Sequence, residues 1–396
     1  WGHHLKATGH EVVSIGKLHF RSTNDDNGFT EEIMPLHVVD GIGDLYGCLR
    51  KERPQRNCQH TMAEDIGPGN STYQDYDRAI AEAACGWLKK KASESSENPW
   101  TLFVSLVCPH FPLIAPEEFY RMYDPNDMPL PKLYHESDRV THPALKQMQE
   151  YLNYDDFFDE EKVRVATASY YALVSFIDHL IGNILSVLKD TGQEDSTRVI
   201  YTSDHGESLG ARGFWGKSTM YEESASVPFI VAGPDVPSGK RVVTPISLVD
   251  VGPTLLEFSG ESLPESKAAS LPGENVMTFV ENEHYDRAVF SEYHAIGSVT
   301  GTFMIRAGKW KYVYYVGYPP QLFDLESDPE ELNDFGTDPE YETIRSHCHD
   351  LLLTICDPEE QNERAFKDQA SRIAEHGGMD AVLNHKTIPY TPAPVV

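Results

Sequence analysis

Val199-Ile200-Tyr201-Thr202-Ser203-Asp204-His205-Gly206-Glu207-Ser208-Leu209-Gly210 is a β-rich apolar run that breaks into a polar, glycine-bearing loop. The apolar part predicts a buried strand, with Asp204 and His205 just past its carboxyl end. Open α/β sheets carry their chemistry there. A carboxylate beside an imidazole can hold a divalent metal. Lys217, thirteen residues after Asp204, adds an ammonium. Metal and ammonium together suit an anionic, tetrahedral substrate. The plainer alternative is a helix-start loop, where Asp and Ser cap and Gly206 and Gly210 turn the chain. For Asp204-His205 alone, the plainer alternative is favoured.

Two more apolar runs end in the same way. Residues 11–15 predict a short strand that runs into Gly16-Lys17-Leu18-His19. Residues 100–108 are almost continuously apolar and predict a central parallel strand. That run ends at Pro109-His110-Phe111-Pro112. Three strands each ending in a candidate site residue argue for a shared site. Lys17 and His19 also fall on one side of an extended chain. Taken singly, Lys17 reads as a turn lysine, His19 as a strand cap and His110 as a packed core histidine. Lys217 near Trp215 reads as a cation–π pair.

The longer string resembles the sulfatases of the alkaline phosphatase superfamily, nearest the choline-sulfatase and phosphonate monoester hydrolase branch. The matching residues are Tyr201 to Glu207, Leu209-Gly210, Trp215, Lys217 and Ser226 to Val231. Gly16-Lys17-Leu18-His19, Pro109 to Pro112 and Gln321 to Leu325 with Asp328-Pro329 and Glu331 match in the family's order. The resemblance implies an α/β fold like alkaline phosphatase: a central, mostly parallel sheet between helices and a smaller carboxy-terminal α+β subdomain. It implies metal-dependent hydrolysis of a sulfate ester. Asp204 and His205 would be metal ligands. Lys17 and Lys217 would hold the sulfuryl oxygens. His19 would stand beside the nucleophile, and His110 would contact the ester and protonate the leaving group. His294 is a softer expectation, a substrate contact from the small subdomain. Calcium is the family's usual metal, and His205 admits manganese. Phosphonate monoester or phosphodiester hydrolysis, and a non-catalytic binding protein of the same fold, are the rival expectations.

One departure matters. The family's nucleophile is a cysteine converted to formylglycine within Cys-x-Pro-x-Arg, and these 396 residues contain no such motif. Cys356-Asp357-Pro358-Glu359-Glu360 lacks the arginine. The family's aspartate pair on its first strand is also missing, since no apolar strand precedes Asp25-Asp26. The expectation is therefore an absent amino-terminal segment, supplied upstream or as a separate chain, and no turnover by this stretch alone.

The bulk numbers agree with a soluble enzyme. With 40% apolar residues, the length supports one large domain, 1–280, and a smaller one, 281–396. The net charge of −29 argues against nucleic acid, so metal and lysines must make the site locally positive. No run of eighteen apolar residues predicts a membrane span. The six cysteines suggest neither zinc site nor disulfide framework. Helices are expected over 73–91, 160–189, 246–258, 341–353 and 360–376. Strands are expected over 227–232, 288–293, 302–306 and 311–316. Residues 21–72 read as mostly loop. Residues 113–160 read as an irregular wall or lid over the site. The proline-rich end, 388–396, reads as an oligomer arm or a loose tail. The partner expected is a small anionic ester, such as a sulfated carbohydrate.

Overall fold

A computed structural model of the chain describes residues 1–50, 59–94, 98–139, 142–263, 271–385 and 390–394. The elements that place the site begin with helix α1 (Gly2–Ala7) and strands β1 (Glu11–Lys17), β2 (Glu31–Leu36) and β3 (Ile66–Pro68). Helix α2 (Thr72–Ser93), strands β4 (Trp100–Ser105) and β5 (Leu113–Ala115), and helices α3 (Pro143–Leu152) and α4 (Glu160–Asp190) follow. Next come β6 (Val199–Thr202), the short helix α5 (Glu222–Ala225), β7 (Phe229–Ala232) and α6 (Val251–Phe258). The chain continues through β8 (Ala288–Tyr293), β9 (Thr302–Ala307), β10 (Trp310–Tyr315) and β11 (Gln321–Asp324), then α7 (Glu342–Ile355) and α8 (Pro358–Glu375).

The middle strand is β1, parallel to both β2 and β4. Its side chains alternate between two faces, and both faces are buried because Val12, Val13 and Ile15 are all apolar. Val12 packs with Leu5 of α1 and Leu256 of α6. Val13 and Ile15, on the other face, join Tyr76, Ile80 and Ala84 of α2. The Ser71 side chain caps α2, and Asp159 caps α4 by accepting from Lys162 N. Helix α4 repeats apolar residues at helical spacing, and Ala166, Leu173, Phe176 and Leu180 bury against α2 and β5. It is long and apolar enough by composition to cross a membrane, but this stripe is taken up by the core.

Several expectations change. β4 is parallel but pairs only with β1 among the described residues, and it stops at Ser105 with Phe103 40% exposed. Residues 106–108 leave the sheet to reach the site. β6 is not fully buried: it pairs antiparallel with β7, and Tyr201 is 40% and Ile230 58% exposed. The stretch 21–72 holds β2 and β3 as well as the helix Gln59–Glu64. Glu31-Glu32-Ile33-Met34-Pro35-Leu36 lacks a clean strand pattern, and its pairing with β1 makes it a strand. Within 113–160, α3 is an amphipathic helix with Pro143 in its first turn.

The carboxy-terminal sheet runs β11-β10-β9-β8, antiparallel throughout. One face buries Phe303, Ile305, Tyr312 and Leu322 against Cys348 and Leu352 of α7. The other face buries Met304, Val313, Tyr315 and Phe323 against Leu145, Met148 and Leu152 of α3 and against Phe214 and Tyr221. Beneath that second face, Lys311 Nζ lies 2.9 Å from Glu222 and 2.8 Å from Glu331. The loop around residues 214–223 is thus fastened to the sheet by both packing and charge.

Candidate active site

The residue before the last of β1 occupies a position that only glycine can fill. Gly16 has φ +104, and an added Cβ would sit 2.2 Å from the Ser105 carbonyl oxygen. The chain turns there, and the Leu36 carbonyl accepts from both Leu18 N and His19 N. His19 itself takes a left-handed φ of 57. Such backbone strain in a non-glycine residue collects at functional positions. The turn aims Lys17 at the β6 loop, where its Nζ lies 3.5 Å from Asp204 Oδ2.

The β6 loop turns equally tightly. A Cβ on Gly206 would meet the Glu223 carbonyl oxygen at 2.1 Å, so α5 lies directly on the backbone here. His205 Nδ1 faces the Gly206 carbonyl at 2.8 Å. A carbonyl only accepts, so Nδ1 carries the proton and Nε2 presents its lone pair. That Nε2 is buried without a hydrogen-bond partner, 3.4 Å from Asp204 Oδ2. This is the tautomer of a metal-ligating imidazole, with its other nitrogen fixed by a carbonyl. Among the described residues no third carboxylate, thiol or imidazole completes a cluster with these two. Asp204 and His205 thus present one carboxylate and one free imidazole lone pair side by side.

His110 stands in the loop after β4. Its Nδ1 faces the Phe111 carbonyl at 2.8 Å, so its Nε2 is also left as an acceptor, and Lys217 Nζ lies 3.4 Å from it. The His110 and His205 ring centroids are 6.2 Å apart. Lys17, Asp204, His205, His110 and Lys217 thus form one run of contacts, and His19 feels the charges of Lys17, Lys217 and Asp204. His294 stands apart from this run. It pairs with Glu292 at 3.1 Å, packs on Phe303, and its carbonyl accepts from Arg50 and Gln369.

Electrostatics follow from burial beside two ammonium groups. Burial first, then Lys217, lowers His110 from 6.5 to about 3. Burial, then Lys17 and Lys217, lowers His19 to about 4. Both imidazoles are neutral at pH 7. Burial, then Lys17, pulls Lys217 below the ordinary lysine value. Burial opposes the charge on Asp204, but Lys17, His205 and Lys217 hold its carboxyl below the usual range.

Sequence reasoning missed the chain's end. Of the proline-rich end, 388–389 and 395–396 lie outside the described residues; the described part is not a loose tail, since Tyr390 packs edge-on against Tyr73 and Phe111. The Tyr73 hydroxyl donates to the Thr391 carbonyl at 2.6 Å, and the Thr391 hydroxyl lies 3.1 Å from His19 Nε2. The aromatic and hydroxyl character of Tyr390-Thr391 was the only signal in the sequence.

Comparison with known proteins adds a second line of argument. Residues 2–261 match the sulfatase family, and residues 210–357 match the carboxy-terminal part of N-sulphoglucosamine sulphohydrolase. A choline-sulfatase of Rhizobium meliloti (strain 1021) is 31% identical over 346 residues, 86% of this chain and 67% of that protein. The crystal structure of the phosphonate monoester hydrolase of Agrobacterium radiobacter superposes with a TM-score of 0.67 at 23% identity, over 88% of this chain and 78% of that one. A further structure, solved in complex with its substrate D-glucosamine-2-N,6-O-disulfate, superposes at 0.64 with 20% identity, over 93% and 82%. These two structures share the fold.

Proposed function

Because the chain belongs to the sulfatase family, we propose that its site grips the sulfuryl group of a sulfate ester for hydrolysis. The observation that carries this reading is the convergence of Lys17 and Lys217 with Asp204, His205 and His110 in a molecule of net charge −29. Two ammonium groups can take two sulfuryl oxygens and stabilise charge that grows on them in the transition state. Asp204 and His205 would hold a divalent metal, which supplies a Lewis acid on a third oxygen. Calcium is the first candidate by family. The imidazole ligand makes manganese the metal to test beside it.

Proton movements follow from the tautomers. His110 Nε2 has no proton to give, so the proton closest to a leaving alkoxide is on Lys217. His110 then acts by orienting that ammonium. Neutral His19 can take a proton from a nucleophile. That nucleophile would be the family's formylglycine, whose Cys-x-Pro-x-Arg motif these 396 residues do not contain. By themselves they should bind a sulfate ester without turning it over. A sulfated carbohydrate is the substrate class to try first, since a protein of this fold takes one.

A phosphonate monoester or phosphodiester is also a tetrahedral monoanion and would meet the same two lysines. Aryl sulfate and aryl phosphodiester hydrolysis by the whole protein, measured side by side, test the choice. A higher kcat/KM on the sulfate is expected. A preference for the phosphodiester, or no hydrolysis of either, would overturn the reading.

A further inference from the structure

Two carboxylates near the site, Asp77 and Glu207, have no part in the chemistry above. Asp77, on α2, is fully buried. Its Oδ1 accepts from Val107 N at 2.7 Å and its Oδ2 from Cys108 N at 2.8 Å. Those residues lead from β4 to His110, whose own N–H donates back to the Val107 carbonyl at 3.1 Å. Glu207 lies in the loop after β6. A single oxygen, Oε1, accepts from Leu209 N at 2.9 Å and from Gly216 N at 2.6 Å. The Gly216 carbonyl accepts from Ser208 N at 2.8 Å, which closes the loop immediately before Lys217. The two loops meet where Lys217 Nζ lies 3.4 Å from His110 Nε2.

We propose that Asp77 and Glu207 are positioning residues: each gathers two backbone N–H groups of one loop, and together they set the Lys217–His110 contact. The argument rests on the proposed role of that pair in the preceding section. These two side chains satisfy four backbone donors, those of Val107 and Cys108 buried and those of Leu209 and Gly216 partly buried, and buried donors are otherwise left unpaired at a cost. Secondary structure provides no other partner, because both segments have left their strands. A carboxylate is the side chain whose two oxygens accept only, so it can gather converging N–H groups that neither helix nor sheet supplies.

The two carboxylates use their oxygens differently, and this separates positioning from charge. Glu207 uses one oxygen for both bonds, so the amide oxygen of Glu207→Gln can replace it. Asp77 uses both oxygens, so Asp77→Asn keeps one acceptor and turns an NH₂ donor toward a backbone N–H. The test is steady-state hydrolysis of an aryl sulfate by the whole protein, with the folded fraction of each variant set by its melting curve. Glu207→Gln is expected within about threefold of the parent kcat, and Glu207→Ala and Asp77→Asn about tenfold or more below it. Should the alanine variant not fold, the contrast between Glu207→Gln and Asp77→Asn carries the test. Equal losses in Glu207→Gln and Glu207→Ala would show that charge is what matters. A kcat in Asp77→Asn within twofold of the parent would show that the contacts do not position anything. A parent protein with no sulfatase activity would instead overturn the functional reading.

Discussion

Lys217 reaches the site at the end of a loop closed on Glu207, and its Nζ lies 3.4 Å from His110 Nε2. The charge of Lys17 acts against that ammonium, and Asp204, 3.5 Å from Lys17 Nζ, acts as a counter-charge. This makes Lys217 the residue whose loss should be felt most. Lys217→Ala in the whole protein is expected to cut aryl-sulfate turnover by about 10²–10³, the scale of losing one oxyanion contact, while the melting temperature holds. Turnover surviving within about tenfold would show that the lysine has another role. At this scale much was legible in the sequence. Lys17, His110, Asp204 and His205 each follow an apolar run, and strand ends are where side chains are free to converge. Tyr73 and Thr391 were not legible, because 318 positions separate two residues that share a hydrogen bond. Nothing local marks such a pair. Asp77 was hidden for another reason: on an amphipathic helix an aspartate looks like a solvated side chain.

The elements show the same division. α2 and α4 stand out by period and by caps. α3 has as regular a stripe, Ala144, Leu145, Met148, Tyr151 and Leu152, but it is set among prolines and loops that mask it. Its partner surface is the far sheet, β9 to β11, which local sequence cannot reveal. α3 also carries a pH-sensitive anchor. His142 precedes it, with Nε2 2.7 Å from the Pro319 carbonyl and its ring 4.2 Å from that of Tyr315. Burial lowers the imidazole below its ordinary 6.5, against the pull of the carbonyl. The unfolded chain therefore takes up this proton at a higher pH than the folded one. Between those two values the unfolded state binds more protons, so stability rises with pH. The contribution is complete above about pH 6.5 and is lost as pH falls toward the lower folded value. In His142→Gln the melting temperature should fall less steeply from pH 7 to pH 5 than in the parent. Identical slopes would contradict this.

In the whole molecule, the site is built from parts that the core holds in register. The cluster shared by α3, residues 214–221 and the carboxy-terminal sheet crosses the division at residue 280 that composition suggests. Lys311 is the charged counterpart of that cluster, fully buried between Glu222 and Glu331. Removing one partner of a buried ion pair leaves uncompensated charge, so Lys311→Met should cost about 3–5 kcal/mol of stability. A denaturation curve within about 1 kcal/mol of the parent would show that the network relaxes freely. The larger point concerns charge. A chain of net charge −29 repels anions over most of its surface. The proposed grip on a sulfate ester is therefore local, set by Lys17 and Lys217 beside Asp204, His205 and His110. The most direct measurement is calorimetric titration of inorganic sulfate into the 396-residue chain with manganese present, beside Lys17→Ala and Lys217→Ala. The account predicts saturable binding by the parent, weakened at least about tenfold in each variant. No binding by the parent, or equal binding by all three, would contradict it.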